Sequence, residues 1–173
     1  MLHRFSTHEK ATLLGDAVFA ANDGIITTFA VVAGSYGAGL GSGVIIILGL
    51  ANLFADGISM ASGNFLGTKS EIDYQKGREK SYREEHVPAR HAAVTFFSFC
   101  VAGVLPILPY LLGAEEGFLL SLSSVAVSLA IVGVLRGLVS RKNIFFSVFE
   151  MLLVGGLAAG VAYFVGYFLA GLY

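Results

Sequence analysis

The sequence predicts an all-α membrane protein, because long apolar stretches alternate with short segments in which the basic residues concentrate. Of its 173 residues, 55% are hydrophobic and 13% are charged, whereas a soluble domain carries about 25% charged residues. The mean hydropathy is +0.76. The net charge is −1, which excludes the strongly basic balance of a nucleic-acid-binding protein. We therefore expect the chain to be surrounded mostly by lipid.

Five stretches are apolar and long enough to cross a bilayer, which takes about 20 residues. The second stretch has no helix breaker at its end and can continue as a helix beyond the membrane. Pro106 and Pro109, late in the third, predict a kink near the membrane surface. A short charged loop, 70–91, joins the second stretch to the third. The five spans form a single domain, 1–173, and lie at 12–35, 42–69, 92–112, 117–138 and 145–172.

Basic residues are found at every second connection. The N-terminal segment and residues 69–91 and 136–142 together hold all 11 Lys and Arg. The positive-inside rule then predicts a cytoplasmic N-terminus and a C-terminus outside, an odd topology that fits five spans. The first stretch does not resemble a secretory signal, because it contains Asp16 and continues past signal length. The short loops and the lack of a targeting signal favour a prokaryotic plasma membrane.

Three Asp lie inside the apolar stretches, where inserting a carboxylate costs about 2.5–3.5 kcal/mol and therefore indicates function. Asp16 and Asp23 are seven residues apart in the first stretch. Asn52, Asp56 and Met60 are four residues apart in the second. Spacings of four and seven keep side chains on one face of a helix. Each helix therefore carries one polar stripe, and two facing stripes would line a pathway shielded from lipid.

The side chains of these stripes suit a divalent transition metal. Carboxylate and amide oxygens are hard ligands, and a thioether is a soft ligand that Mg²⁺ and Ca²⁺ do not use. Fe²⁺ or Mn²⁺ fits this mixture, whereas tight Zn²⁺ or Cu²⁺ sites usually use Cys and His. The chain has one Cys, and its four His all lie in polar segments, which argues against a His-built site within the membrane. We predict a metal site at Asp16, Asp23, Asn52, Asp56 and Met60, with no resident cofactor.

Other roles stay open for the same side chains. Asp16 can simply reach the cytoplasmic interface. Asp23 and Asp56 can be protonated and hydrogen-bonded between helices, and Asn52 can form an interhelical hydrogen bond. Met60 can fill the core, as methionine often does.

Four segments carry a resemblance to a known family. They are GDAVFAANDGIITTFAVVAG with its Asp-x6-Asp-Gly pattern, the Ser-Met-Gly-rich DGISMASGNFLGTKSE, LPILPYLL and GGLAAGVAY. The chain resembles the vacuolar iron transporter family over nearly its whole length. The resemblance implies a homodimer of five-span subunits, whose path between subunits is lined by spans one and two. It implies export of Fe²⁺, often also Mn²⁺, in exchange for protons. Asp23 and Met60 match mid-membrane pathway residues, and Asp16 matches an acid nearer the cytoplasmic entrance.

The chain departs from the family pattern in two places. Plant-type members have an acid one turn before Asp16 and another eight residues before the Met, where this chain has Thr12 and Asn52. Asp56 stands where those members have a small residue, which suggests that the carboxylate is relocated by one turn. Such members also insert a long Glu-rich helical domain between spans two and three. Here the 70–91 loop stands in its place, as a charge-mixed helix extension or a reduced metal-capture patch.

We predict a transporter rather than an enzyme. Burial disfavours the charged form of a carboxyl, whereas a metal ion displaces its proton, so one set of carboxyls can hold either protons or metal. A passive divalent-cation channel and a non-transporting metal-sensing membrane subunit are the alternatives. An intramembrane aspartyl hydrolase also needs two Asp, but its Gly-x-Gly-Asp context is absent, since AAN precedes Asp23 and LFA precedes Asp56.

Overall fold

The computed structural model of the chain describes residues 7–78 and 87–172, and this part of the chain consists of helices joined by turns. It confirms the all-α architecture. Four helices, over Glu9–Gly37, Ser42–Arg78, Gly117–Val139 and Ile144–Ala170, are long and apolar enough to cross a membrane, as in a multi-pass membrane protein. In chain order the helices are α1 (Thr7–Gly37), α2 (Ser42–Arg78), α3 (Pro88–Gly103), α4 (Leu108–Leu111), α5 (Gly117–Val139) and α6 (Ile144–Ala170).

The 70–91 segment is mostly helical where it is described, as the expected extension of the second stretch beyond the membrane. Residues 70–78 continue α2, because TKSEIDYQK contains neither Pro nor Gly to stop it. The side chain of Gln75 donates to Glu71 one turn earlier, at 3.3 Å. At the other end Pro88 occupies the first turn of α3, where its missing N–H has no helical partner to lose. The remaining acids and His86 of this segment, in 79–86, lie outside the described residues.

The third predicted span, 92–112, is broken into two helices rather than continuous. Residues 104–107 form turns between α3 and α4, because Pro106 cannot donate a backbone hydrogen bond and its ring crowds the preceding turn. The carbonyl groups released by the break accept from α5 instead. Ser121 Oγ donates to the oxygen of Pro106 at 2.6 Å, and Ser124 Oγ to that of Leu105 at 3.2 Å. The irregular backbone is thus covered by protein and satisfied, as a lipid environment requires.

The central helix is α1, which packs against α2, α3, α5 and α6. It ends at Gly37, and Gly39 follows in the left-handed conformation at φ 70°, which suits glycine at a helix C-terminus. Buried side chains of α1, among them Ile25 and Phe29, form the main core with Leu129 of α5 and Met151 of α6. Outward faces of α2, α5 and α6 carry exposed large apolar side chains, as expected of helices that face lipid.

Candidate functional site

Asp23 on α1 and Asp56 on α2 form the inner part of the site. Both side chains are half-buried, and they lie close enough to interact electrostatically. Asn52 donates from Nδ2 to Oδ2 of Asp56 at 3.0 Å. The hydrogen bond of Asn52 therefore runs along its own helix rather than between helices, and it holds one oxygen of the carboxylate.

Each of these aspartates is followed along the chain by a glycine that packs on α3. A Cβ on Gly24 would lie 3.1 Å from the carbonyl carbon of Phe99 and closer still to its oxygen, so only glycine allows this approach. A Cβ on Gly57 would lie 3.1 Å from Sγ of Cys100. Successive helical residues point about 100° apart. The two Asp-Gly pairs therefore place both carboxylates at the edges of the α1–α3 and α2–α3 contacts.

Met60 lies one turn beyond Asp56 and is half-buried. It packs against the small apolar cluster of Ala20, Leu53 and Phe99, which joins α1, α2 and α3. The structure therefore gives Met60 a packing role in the cluster that joins α3 to the two helices carrying the carboxylates. A role as a soft ligand stays a prediction.

Asp16 belongs to a separate group nearer the N-terminus of α1. It precedes Asp23 by two helical turns, about 10 Å along the axis. Its Oδ2 lies 2.5 Å from Nδ1 of His91 on α3, and the exposed fractions of the two side chains are 24% and 5%. Glu9, two turns earlier on the same face, is 5% exposed and pairs with Arg90 at 3.0 Å. The Glu9–Arg90 ion pair and the Asp16–His91 contact thus join α1 to α3, so Asp16 does more than reach a surface.

Sequence reasoning missed His91 and Glu9 as members of this group. The position of all four His in polar segments of the sequence argued against a histidine site within the membrane. His91 instead occupies the beginning of α3 and is buried against α1. Pro88 as a helix start could have placed His91 on a helix, and the seven-residue spacing could have placed Glu9 on the face of α1 that carries Asp16.

Within the described ranges, no three His, Cys, Asp or Glu side chains lie close enough together to hold a metal ion. What the fold brings together is two pairs. The inner pair is Asp23 and Asp56, with Asn52 bound to the latter. The outer pair is Asp16 and His91.

A bundle of apolar helices with partly buried carboxylates on its first two members defines a polytopic membrane protein with a polar interior. The family model described as the VIT family matches residues 14–87 and 78–167. The chain belongs to this family. The two matched segments meet in the link between α2 and α3.

Individual relatives show the same similarity over most of their length. A protein of Toxoplasma gondii named vacuolar iron transporter is 27% identical over 227 residues, covering 92% of this chain and 75% of the relative. Vacuolar iron transporter 1 of Oryza sativa is 24% identical, covering 86% and 82%. Vacuolar iron transporter homolog 1 of Arabidopsis thaliana is 27% identical over 168 residues, covering 92% and 84%. The 227-residue alignment exceeds the 173 residues of this chain, so that relative contains residues that this chain lacks.

Proposed function

We propose that this chain transports a divalent transition metal ion, Fe²⁺ or Mn²⁺, out of the cytoplasm in exchange for protons. Its family membership and the names of its relatives, vacuolar iron transporters, support metal ion transport as the general activity. The observation that carries the finer proposal is the pairing of Asp23 with Asp56 on the two helices that the sequence predicts to line the pathway.

Two neighbouring carboxylates in a partly buried site repel each other, and a proton or a cation relieves that repulsion. A divalent ion satisfies both charges at once and releases protons as it binds, whereas its departure lets protons return. Asn52 keeps Asp56 oriented through the 3.0 Å hydrogen bond. Few strong ligands also mean modest affinity, which lets the ion leave on the far side.

The proposed assembly is a homodimer in which each subunit crosses the membrane five times, α3 and α4 together forming the third span. The outward face of α2 supports a partner on that side. Ile58 is 59% exposed beside the polar stripe, and a Cβ on Gly63 or Gly67 would meet nothing within 4 Å. Small residues of this kind let helices of two subunits approach closely. The dimer would bring two Asp23–Asp56 pairs to one pathway.

In the proposed orientation the N-terminus and the α2–α3 link are cytoplasmic, and the C-terminus lies outside, as the distribution of basic residues indicates. Asp16 and His91 then lie toward the cytoplasm, and the inner pair lies deeper. Metal would pass Asp16 first and reach Asp23 and Asp56 next. A prokaryotic plasma membrane is the proposed location.

Uptake into liposomes tests the proposal. Purified protein is reconstituted, and Fe²⁺, kept reduced with ascorbate, or Mn²⁺ is added outside. We expect uptake by the wild type and its loss in Asp23→Ala. Glu115→Gln is the matched control, because it also removes one carboxylate but from an exposed turn before α5, and it should transport normally. Normal transport by Asp23→Ala would show that the pathway assignment is wrong. Transport of neither ion by the wild type would favour a metal-sensing subunit instead.

A further inference from the structure

We propose that His91 is a metal ligand, and that together with Asp16 it forms an entrance site that favours Fe²⁺ over Mn²⁺. This inference rests on the proposed function, because it concerns the first site that a metal would meet. His91 belongs to the beginning of α3 and Asp16 to α1, so the pair is made by packing of two helices. The two atoms that would bind the metal, Nδ1 of His91 and Oδ2 of Asp16, are in direct contact.

The geometry of the pair suits a shared metal ion. Bonds from a transition metal to imidazole nitrogen and carboxylate oxygen are about 2.0–2.2 Å long, so two adjacent ligands at a right angle lie about 3 Å apart. Nδ1 and Oδ2 lie 2.5 Å apart and share a proton. An ion that binds both atoms would release this proton to water, and the two groups would separate by about half an ångström and turn toward the ion. The neighbouring Glu9–Arg90 pair, at 3.0 Å, also joins these two helices but contributes no atom to the proposed site.

The burial of the two side chains differs in a way that suits capture from one side. Asp16 is 24% exposed and His91 only 5%. An approaching ion therefore meets the carboxylate first and the imidazole behind it. Asp16 also shares a face of α1 with Asp23, because seven residues make nearly two full turns. An ion released from the outer pair thus has a carboxylate about 10 Å ahead on the same face.

The chemistry of imidazole predicts what His91 adds. Carboxylate and water suit Mn²⁺, whereas imidazole suits Fe²⁺ and the later metals of the series, which generally bind nitrogen more strongly. A site with Asp16 alone would discriminate little between the two ions. Adding the nitrogen of His91 should raise the affinity for Fe²⁺ more than that for Mn²⁺.

A competition experiment with two variants separates ligation from a structural role. Liposomes containing wild type, His91→Ala or Arg90→Gln receive Fe²⁺ and Mn²⁺ together, and the ratio of the two ions taken up is measured. Arg90→Gln is the matched control, since it removes an ion pair between the same helices one residue away and leaves the imidazole. Removing a residue that only orients a metal ligand lowers metal affinity about 10–100-fold, so loss of a direct ligand should lower the Fe²⁺ to Mn²⁺ ratio about tenfold or more. Arg90→Gln should keep the wild-type ratio.

A second measurement detects the bond itself and does not require transport. Purified protein in detergent is loaded with Mn²⁺, and electron spin echo modulation from a bound ¹⁴N nucleus is recorded. We expect this signal in the wild type and in Arg90→Gln, and its loss in His91→Ala. An unchanged signal and ratio in His91→Ala would overturn the inference. A wild type that moves neither ion would refute the proposed function, and the nitrogen signal would still decide whether His91 binds metal.

Discussion

Replacing Gly24 with Ala should destabilise the protein, because this glycine lets the backbone of α1 approach that of α3. A Cβ there would lie 3.1 Å from the carbonyl carbon of Phe99 and 3.2 Å from its Cα, and would overlap the carbonyl oxygen, whereas ordinary contacts begin at 3.4 Å. The obstructing atoms are backbone, so the helices would have to separate by up to about 1 Å. Overpacking of this kind costs about 1–3 kcal/mol. The better helix propensity of alanine offsets about 1 kcal/mol of this cost.

We expect Gly24→Ala to lower the free energy of unfolding by about 2 kcal/mol. A clash with backbone atoms belongs at the upper end of the overpacking cost, and the helix propensity of alanine offsets part of it. For a chain of this length such a loss lowers Tm by about 4–8 °C. Thermal melts of purified protein in detergent measure it. Gly15→Ala is the matched control on the same helix, because a Cβ there meets nothing within 4 Å, and its Tm should stay level or rise. A Gly24→Ala protein as stable as Gly15→Ala would refute the assigned α1–α3 contact.

Ser121→Ala should also lower Tm. The variant removes the hydroxyl that donates to the carbonyl oxygen of Pro106 at 2.6 Å, at the α3–α4 break. A buried carbonyl that loses its donor costs about 1–3 kcal/mol of stability. Ser123→Ala is the control, because its exposed hydroxyl donates to the carbonyl oxygen of Leu119 within the same helix. An equal drop in Tm for both variants would contradict the role of Ser121. Asp56→Asn should reduce metal uptake in liposomes about tenfold or more, a barrier change of about 1.4 kcal/mol. Adding Asn52→Asp, which restores a carboxylate one turn away on the same face, should recover most of the uptake, and no recovery would count against relocation of the acid.

The helices could be predicted from the sequence because hydropathy and helix breakers are local signals. The predicted stretches 117–138 and 145–172 match α5 and α6 closely, and their ends coincide with turns rich in Gly, Ser and charge. The break in the third stretch was signalled by Pro106, but its form was not. Whether a proline kinks a helix or divides it depends on what receives the released carbonyl groups, and here Ser121 of another helix does so.

The candidate site could be predicted only along each helix. Periodicity placed Asp16 with Asp23, and Asn52 with Asp56, because those relations need only the helical repeat. The contact between Asp16 and His91 needs the packing of α1 on α3, which no local pattern reports. The hydrogen bond from Asn52 to Asp56 could have been predicted from the sequence, since side chains four residues apart on a helix are neighbours.

The most direct test of metal–proton exchange follows both ions in the same vesicles. Proteoliposomes contain a pH-sensitive dye and a metal-sensitive dye, and Mn²⁺ is added outside, with an empty-liposome control. We expect Mn²⁺ to enter while the interior becomes more alkaline, and both signals to disappear in Asp23→Ala. Mn²⁺ uptake without any change of internal pH would contradict the exchange mechanism and identify a passive channel.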